Sequence, residues 1–415
     1  MLLQFLCSNF ASIRDEVILS LVPSHDNSHP GHIVHNGEYS ALKEIAIYGP
    51  NASGKSSLFR AITSAVNIIR QSSNRQVDDF LHVVPFKFDR ISPLKPSKFE
   101  FTFVASDNRK YIYGFSADSK RVHEEYLYCC TSSEEPSIIF DRTEDEYEYA
   151  PELKKQFETV QKLNTPNKLL LATATSWNVE LTSVPYKWFA EEIDTFTNDL
   201  SVGSRTYRLY SYSDKKYTDF IIDLLKRADI NIHDIKIDFP NITDTEGGQV
   251  PPEALRRYWK FRTGHTVRDG NESEKTYQLS LEEESLGTRV LFYFAPIIKD
   301  ALDSGKTLVI DEFERSMHPS IVKFLVNMFH SPKKNPHSAQ LIFITHETTL
   351  LSVSTFRRDQ IYFTQKDPAT AVTELYSLGD IRGGSSNDDI EKKYLLGRYG
   401  AVPFMRTDDL EDQDI

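Results

Sequence analysis

Cysteine is scarce. The 415 residues hold three, Cys7, Cys129 and Cys130. An odd count without regular spacing excludes a disulfide framework and fits a reducing compartment. Cys129 and Cys130 are adjacent, so on a strand they face opposite sides, which argues for structural roles rather than metal binding. No zinc or HNH spacing occurs. Long apolar runs are also missing. Nothing approaches the ~20 residues of a membrane span, and Met1-Leu-Leu-Gln-Phe-Leu-Cys has neither a basic n-region nor a cleavage site. The expected location is cytoplasmic, with no membrane partner. Positive charge is in deficit: 48 Lys and Arg against 60 Asp and Glu give a formal net charge of -12. That argues against a protein that coats nucleic acid through a basic surface, but not against a local basic groove. No internal repeat and no heptads are found, so a long coiled-coil insertion is excluded.

What is present is enough chain for two or three domains. Leu2, Gln4 and Leu6 alternate with Leu3, Phe5 and Cys7, the pattern of a strand, and Glu16–Leu21 reads as a second. Phe86–Leu127 reads as an antiparallel meander, with a clear period of two over Lys98–Val104 and a turn at Asp107-Asn108. From about Asp141 the spacing turns helical. Glu152–Val160, Val184–Phe196 and Thr218–Arg227 read as helices, the last with Phe220, Ile221, Leu224 and Leu225 on one face. Ile235, Ile237 and Phe239 return to a strand pattern. The expected division is 1–140, a mainly helical insertion at 141–265, a second half at 266–405 and an acidic tail at 406–415.

The stretch that organises the chain is Ile45-Ala-Ile-Tyr48 followed by Gly49, Pro50, Asn51, Ala52, Ser53, Gly54, Lys55, Ser56 and Ser57. It has the pattern G-x-x-x-x-G-K-S of a phosphate-binding loop. Gly49 and Gly54 permit backbone angles that a Cβ forbids. The loop amides form a nest for an anion, and the following helix adds the positive end of its dipole. Lys55 is expected to reach the β- and γ-phosphates, and Ser56 to hold Mg²⁺. Thr307-Leu-Val-Ile-Asp311-Glu312 has the form of a Walker B strand. Asp311 would serve the metal and Glu312 would accept the proton of the attacking water. His346 ends another apolar strand, about 35 residues after Asp311, where a histidine sensing the γ-phosphate would lie. Ser285 and Gly287 open a helix about 20 residues before the Walker B strand, offering a hydroxyl and amides to an anion. Each of these has a plainer structural reading; it is their order that favours the chemical one.

That order resembles the ABC-class AAA family ATPases related to RecF, SMC and OLD proteins. Within them it is most similar to the short bacterial AbiL-like or RloA-like group of phage-defence operons. The resemblance rests on Ser8-Asn-Phe-Ala-Ser-Ile13, the phosphate loop, Glu284-Ser-Leu-Gly-Thr288 and Asp311-Glu-Phe-Glu-Arg-Ser-Met-His-Pro319. Thr345-His346, Arg358-Asp-Gln-Ile-Tyr362 and Lys393–Pro403 complete it. Ala11 stands where the family carries a basic residue, and no glutamine lid is evident; the Pro85-Phe86 region is expected in its place, with no metal role assigned to it. The resemblance implies an α/β P-loop NTPase with an ABC-type ATPase head: a mixed sheet with an antiparallel β-subdomain, plus an inserted helical subdomain. It implies ATP and Mg²⁺ as ligands and a head-to-tail homodimer or higher oligomer. Lys55 and Ser56 of one subunit would face Ser285 and Gly287 of the other. It further implies a separate effector, a nuclease or toxin, and DNA or a phage protein as trigger. About 70 residues follow His346, so a toprim nuclease is not expected within them, and Asp388, Asp389 and Glu391 read as solvated surface rather than a metal cluster. The alternative is a RecF- or SMC-like DNA-repair ATPase that clamps DNA, for which Lys215-Lys216, Lys226-Arg227 and Arg256-Arg257 are the candidate basic sites.

Overall fold

Period-two patterning builds the first sheet. In a computed structural model of the chain, residues 1–130, 136–197, 203–212, 215–227, 231–238, 260–269, 273–382 and 389–402 are described. Two compact units form, one from Met1–Thr195 with Gln340–Ile415 and one from Phe196–Ala339. The first unit opens with β1 (Leu2–Ser8), β2 (Val17–Ser20), the hairpin β3 (Ile33–Asn36) and β4 (Tyr39–Leu42), and then β5 (Glu44–Tyr48) and α1 (Lys55–Gln71). The meander follows as β6 (Ser97–Val104), β7 (Lys110–Ala117), β8 (Val122–Cys130), β9 (Ser137–Thr143) and β10 (Glu146–Tyr149). These strands form a seven-stranded antiparallel sheet in the order β10-β9-β8-β7-β6-β1-β2. Its inner face is aromatic: Phe5, Phe99, Phe101, Phe103 and Phe115 are all buried. Trp188 stacks on Phe103 with centroids 4.2 Å apart. Each such buried ring contributes roughly 1.5–3 kcal/mol. The cysteines Cys7, Cys129 and Cys130 are buried free thiols in these strands.

Helices α2 (Lys154–Gln161), α3 (Leu170–Ser176) and α4 (Glu180–Lys187) come next. Glu125, fully buried on β8, accepts the amides of Leu170 at 2.6 Å and Leu171 at 2.9 Å, so a sheet residue holds the start of α3. The single helix expected over Val184–Phe196 is not what forms. α4 ends at Lys187, a π-helical turn covers Trp188–Glu192, and the chain goes on as strand β11 (Ile193–Thr197). The β-branched residues Ile193, Thr195 and Thr197 prefer extended backbone, and this preference overrides the helical spacing.

The second unit contains α5 (Gly203–Tyr212), α6 (Lys216–Arg227), β12 (Ile232–Asp238), β13 (Lys260–Asp269) and β14 (Ser273–Ser280). It continues with α7 (Leu286–Ser304), β15 (Thr307–Asp311) and α8 (Pro319–His330). α6 buries Tyr217, Ile221, Leu224 and Leu225, close to the expected face. Thr206 donates to the Tyr293 carbonyl at 2.6 Å and Tyr210 to the Phe292 carbonyl at 3.1 Å, tying α5 to α7. β12, β13 and β14 make a three-stranded antiparallel sheet. The segment 141–265 is therefore divided between the units and carries strands as well as helices. Residues 239–259, with Phe239 and Arg256-Arg257, lie outside the described residues, as does the tail 406–415.

The chain then completes the first unit with β16 (Gln340–Ile344), β17 (Ile361–Lys366), β18 (Thr373–Ser377) and α9 (Ile390–Leu395). β16, β5 and β17 run parallel, with β18 antiparallel beside β17. All five residues of β5 are buried, as a strand covered on both faces requires. The Arg358–Tyr362 motif is a clamp. The neighbouring Arg357 makes two bonds to Asp359, at 2.9 and 2.8 Å, and donates to the Ser28 carbonyl at 2.6 Å. Arg358 donates to the carbonyls of Leu378 and Ile381, both at 3.0 Å. From the Lys393–Pro403 motif, Tyr394 stacks on Phe363 at 5.3 Å and lies edge-on to Tyr48 at 6.1 Å, while Pro403 lies outside the described residues. Of the acids expected to be solvated, Asp389 is exposed and Glu391 half-buried, and both also have structural work. Asp389 caps α9 through the Lys392 amide at 3.0 Å, and Glu391 accepts from Thr348 at 2.8 Å. Asp388 lies outside the described residues. Among the described residues, no helix is long and apolar enough to cross a membrane.

Candidate nucleotide site

The phosphate loop joins the carboxyl end of β5 to the amino end of α1. Gly54 is the N-cap of α1 at φ 112°, and no side chain caps the helix. Gly54 has no side chain to occupy the helix start, and a glycine-led helix N-terminus of this kind suits an anion. Gly49 has φ 154°, and a Cβ there would come 2.5 Å from the Thr364 carbonyl oxygen. A Cβ on Gly54 would lie 2.1 Å from Thr373 Oγ1. Both glycines are thus required by close approach of β17 and β18, besides the phosphate chemistry. Ala52 also adopts a left-handed backbone, φ 63°. Lys55 Nζ donates to the carbonyls of Gly49 at 2.6 Å and Pro50 at 2.9 Å, so its ammonium lies over the loop. Ser56 is exposed at the start of α1.

His346 is brought to the same strand ends. Ile344 pairs with Ile47 in parallel register, and His346 and Gly49 each lie two residues beyond that pair. The Tyr48 hydroxyl donates to the Glu347 carbonyl at 3.3 Å, joining the two segments. His346 is exposed. Pro85-Phe86 is not a lid of side-chain amide character. The Phe86 amide donates to Asn9 Oδ1 at 3.1 Å, and Asn9 Nδ2 donates to the carbonyls of Ser92 and Lys95, both at 2.9 Å.

In the second unit, β15 is wholly buried and ends at Asp311. Asp311 Oδ1 accepts the Glu312 amide at 3.1 Å. Glu312 has φ 54°, a strained angle for a residue with a Cβ. Its carboxylate pairs with Arg315 at 3.2 Å, both side chains about half exposed. Ser285 is the N-cap of α7 and accepts the Thr288 amide at 3.2 Å. Gly287 packs against the turn that follows Glu312, through the Ser316 carbonyl. Glu284 is held in turn by His265 at 2.7 Å and by Thr263. The structure thus gathers Gly49–Ser57 with His346 in the first unit, and Ser285 and Gly287 with the Asp311–Ser316 turn in the second.

Ser12, Thr364 and Thr373 lie against the phosphate loop and were not singled out in sequence. Only Ser12 carried a local signal, its place in Asn9-Phe-Ala-Ser-Ile13. Among the described residues no group of three or more His, Cys, Asp or Glu could hold a metal ion. A magnesium ion here would need phosphate oxygens and water to fill its octahedron, as is usual at such sites. An uncapped helix start, a buried lysine over the loop and an exposed Ser56 hydroxyl fit a triphosphate with magnesium. The candidate basic sites are partly spent: Lys216 pairs with Asp303 at 2.6 Å and Arg227 with Asp223 at 2.9 Å.

The family model described as "AAA domain, putative AbiEii toxin, Type IV TA system" matches residues 45–352, 308 of the 415 residues. No curated protein matches the chain. Among solved structures, an SMC head bound to the C-winged helix domain of ScpA is similar at TM-score 0.41 and 12% identity, covering 91% of this chain and 97% of that one. RecF with ATP, a recombination mediator protein of the RecFOR pathway, is similar at TM-score 0.37 and 12% identity, covering 90% and 97%. CbiO1 from Clostridium perfringens, part of the ABC transporter complex cbiONQ, is similar at TM-score 0.32 and 9% identity, covering 91% and 89%.

Proposed function

The chain belongs to this AAA-domain family, and from that premise we propose that it is the ATP-binding and ATP-hydrolysing regulatory subunit of an anti-phage defence system, acting on a separate nuclease or toxin. The observation that carries the reading is the uncapped start of α1 behind Gly49 and Gly54, with Lys55 lying over the loop. Lys55 would move from the Gly49 and Pro50 carbonyls to the β- and γ-phosphates, exchanging weak acceptors for charged ones. Ser56 and Asp311 are each proposed as magnesium ligands, and the ion would supply positive charge to offset that of the phosphates. Glu312 would take the proton from the attacking water, and His346 would sense the γ-phosphate. Ser285 and Gly287, at the start of α7, would address the triphosphate held by a second copy. ATP would then favour the paired state and hydrolysis would release it.

A partner protein is supported by the loop between α1 and β6. Val77, Phe80, Phe88, Ile91 and Leu94 are each more than 60% exposed there. The loop carrying them is fixed by Asn9 and by Asn167, whose Nδ2 donates to the carbonyls of Gln76 at 2.7 Å and Asp79 at 3.0 Å. Large apolar side chains on a fixed loop suit protein contact. The test is phosphate release by the purified chain with Mg²⁺ and ATP, with and without duplex DNA. The expected result is hydrolysis that Lys55→Ala abolishes and DNA leaves unchanged. Strong stimulation by DNA alone would favour the DNA-clamp alternative and defeat the partner-dependent one.

A further inference from the structure

We infer that Ser12 and Thr373 are positioning residues of the phosphate loop, acting through Ser57 and Ser53; this rests on the reading of Gly49–Ser57 as an ATP site. The two come from opposite ends of the sequence and meet over the loop. Ser12 Oγ donates to Ser57 Oγ at 2.8 Å. Thr373 Oγ1 lies 2.7 Å from Ser12 Oγ and donates to the Ser53 carbonyl at 3.0 Å. The Thr373 amide donates to the Ser12 carbonyl at 2.8 Å. Ser53 and Ser57 bracket Gly54-Lys55-Ser56, the three residues that present the helix amides, the ammonium and the metal-facing hydroxyl. A third hydroxyl, Thr364 Oγ1, lies 2.6 Å from Ser53 Oγ.

The cluster is largely buried, with Ser57 at its half-buried edge. Ser12, Ser53, Thr364 and Thr373 are all buried. Hydrogen bonds in a low-dielectric setting are stronger, and an unmet buried hydroxyl is costly, so loss of either hydroxyl should loosen the loop. Ser12 is itself fixed from behind. Phe10 and Ile13 exchange backbone bonds at 2.7 and 2.8 Å, and the Ala11 amide donates to the Val84 carbonyl at 2.7 Å. Thr373 presses on Gly54 so closely that only glycine fits beneath it. The loop is therefore held in its phosphate-binding shape before phosphate arrives, which removes an ordering cost from binding.

The test compares Thr373→Val, which keeps the shape and deletes the hydroxyl, with Thr373→Ser, which keeps the hydroxyl, and adds Ser12→Ala. Two readouts are used on the full chain: amide hydrogen exchange of residues 49–57 without nucleotide, and the Kd for Mg²⁺ with a fluorescent ATP analogue. Thr373→Val and Ser12→Ala should speed exchange in the loop and weaken nucleotide binding about tenfold, the loss of roughly one hydrogen bond. Thr373→Ser should remain within about threefold of wild type, well inside that tenfold step. Unchanged loop exchange in Thr373→Val, or equal damage in Thr373→Ser, overturns the assignment. Failure of the wild-type chain to bind the analogue would overturn the ATP reading, while the exchange measurement still decides whether the hydroxyls hold the loop.

Discussion

Gly287 lies against Ser316: a Cβ built on Gly287 would come 2.7 Å from the Ser316 carbonyl oxygen. The start of α7 and the turn after Asp311-Glu312 therefore share one contact within the second unit. In an ordinary helix Gly→Ala gains up to about 1 kcal/mol. Here the obstacle is backbone, which cannot swing aside, and overpacking costs about 1–3 kcal/mol. The sign should reverse. Gly287→Ala is expected to lower the urea midpoint and to reduce ATP turnover. An unchanged midpoint would show that the turn yields freely.

Glu312 follows the buried strand β15 in a left-handed conformation, with its carboxylate 3.2 Å from Arg315. The pair is half exposed, so it is worth about 1 kcal/mol or less to folding. Glu312→Gln should leave the fold and ATP binding intact while cutting turnover by about 10²–10⁴, the range for a lost general base. Turnover at the wild-type rate would remove Glu312 from that role. Arg315→Ala should shift stability by less than about 1 kcal/mol, checked by the same denaturation curve.

The buried ion pair of Arg357 and Asp359 marks a different kind of residue. Arg357 is fully buried, and its two bonds to Asp359 fix the loop that contains Ser24 and Ser28. Removing one partner leaves a buried charge, a loss of about 3–5 kcal/mol. Asp359→Ala should therefore unfold at much lower urea than wild type. A loss below about 1 kcal/mol would mean the guanidinium finds water or another acceptor.

The parts legible in sequence were those whose chemistry is local. The phosphate loop, the Asp311-Glu312 strand end and the Ser285 helix start each need their residue types within a few positions, and each lies where its pattern placed it. The parts that were not legible are long-range. Ser12 and Thr373 touch across 361 positions, and nothing near Thr373 hints at a partner. His265 and Glu284 meet only because β13 and the start of α7 converge. The Arg358–Tyr362 motif was visible as a motif, but its role is to clamp loops, which only the partners of Arg357, Asp359 and Arg358 reveal. The Val184–Phe196 helix failed for a local reason: a helical spacing of apolar residues also described a π-turn running into a strand rich in β-branched residues.

Glu44 carries a pH signature that follows from its place at the start of β5. Its side chain is fully buried, and burial pushes its carboxyl well above the usual 4.5, with the neighbouring Lys43 ammonium pulling the other way. The folded chain therefore keeps a proton on Glu44 at pH values where the unfolded chain has released it. Over that interval the folded state binds more protons, so stability falls as pH rises. The contribution is fully present below about pH 4.5 and is lost as pH climbs through the raised folded value. Glu44→Gln keeps the shape and cannot ionise, so it should lack this dependence. The stability of wild type relative to Glu44→Gln should then decline as pH rises above about 4.5, by up to about 1.4 kcal/mol per pH unit, until the raised folded value is passed. Urea midpoints of the two proteins across that range provide the measurement. A constant difference would show that folded Glu44 ionises at its ordinary value, with the strand start opening to water or a cation to receive the charge.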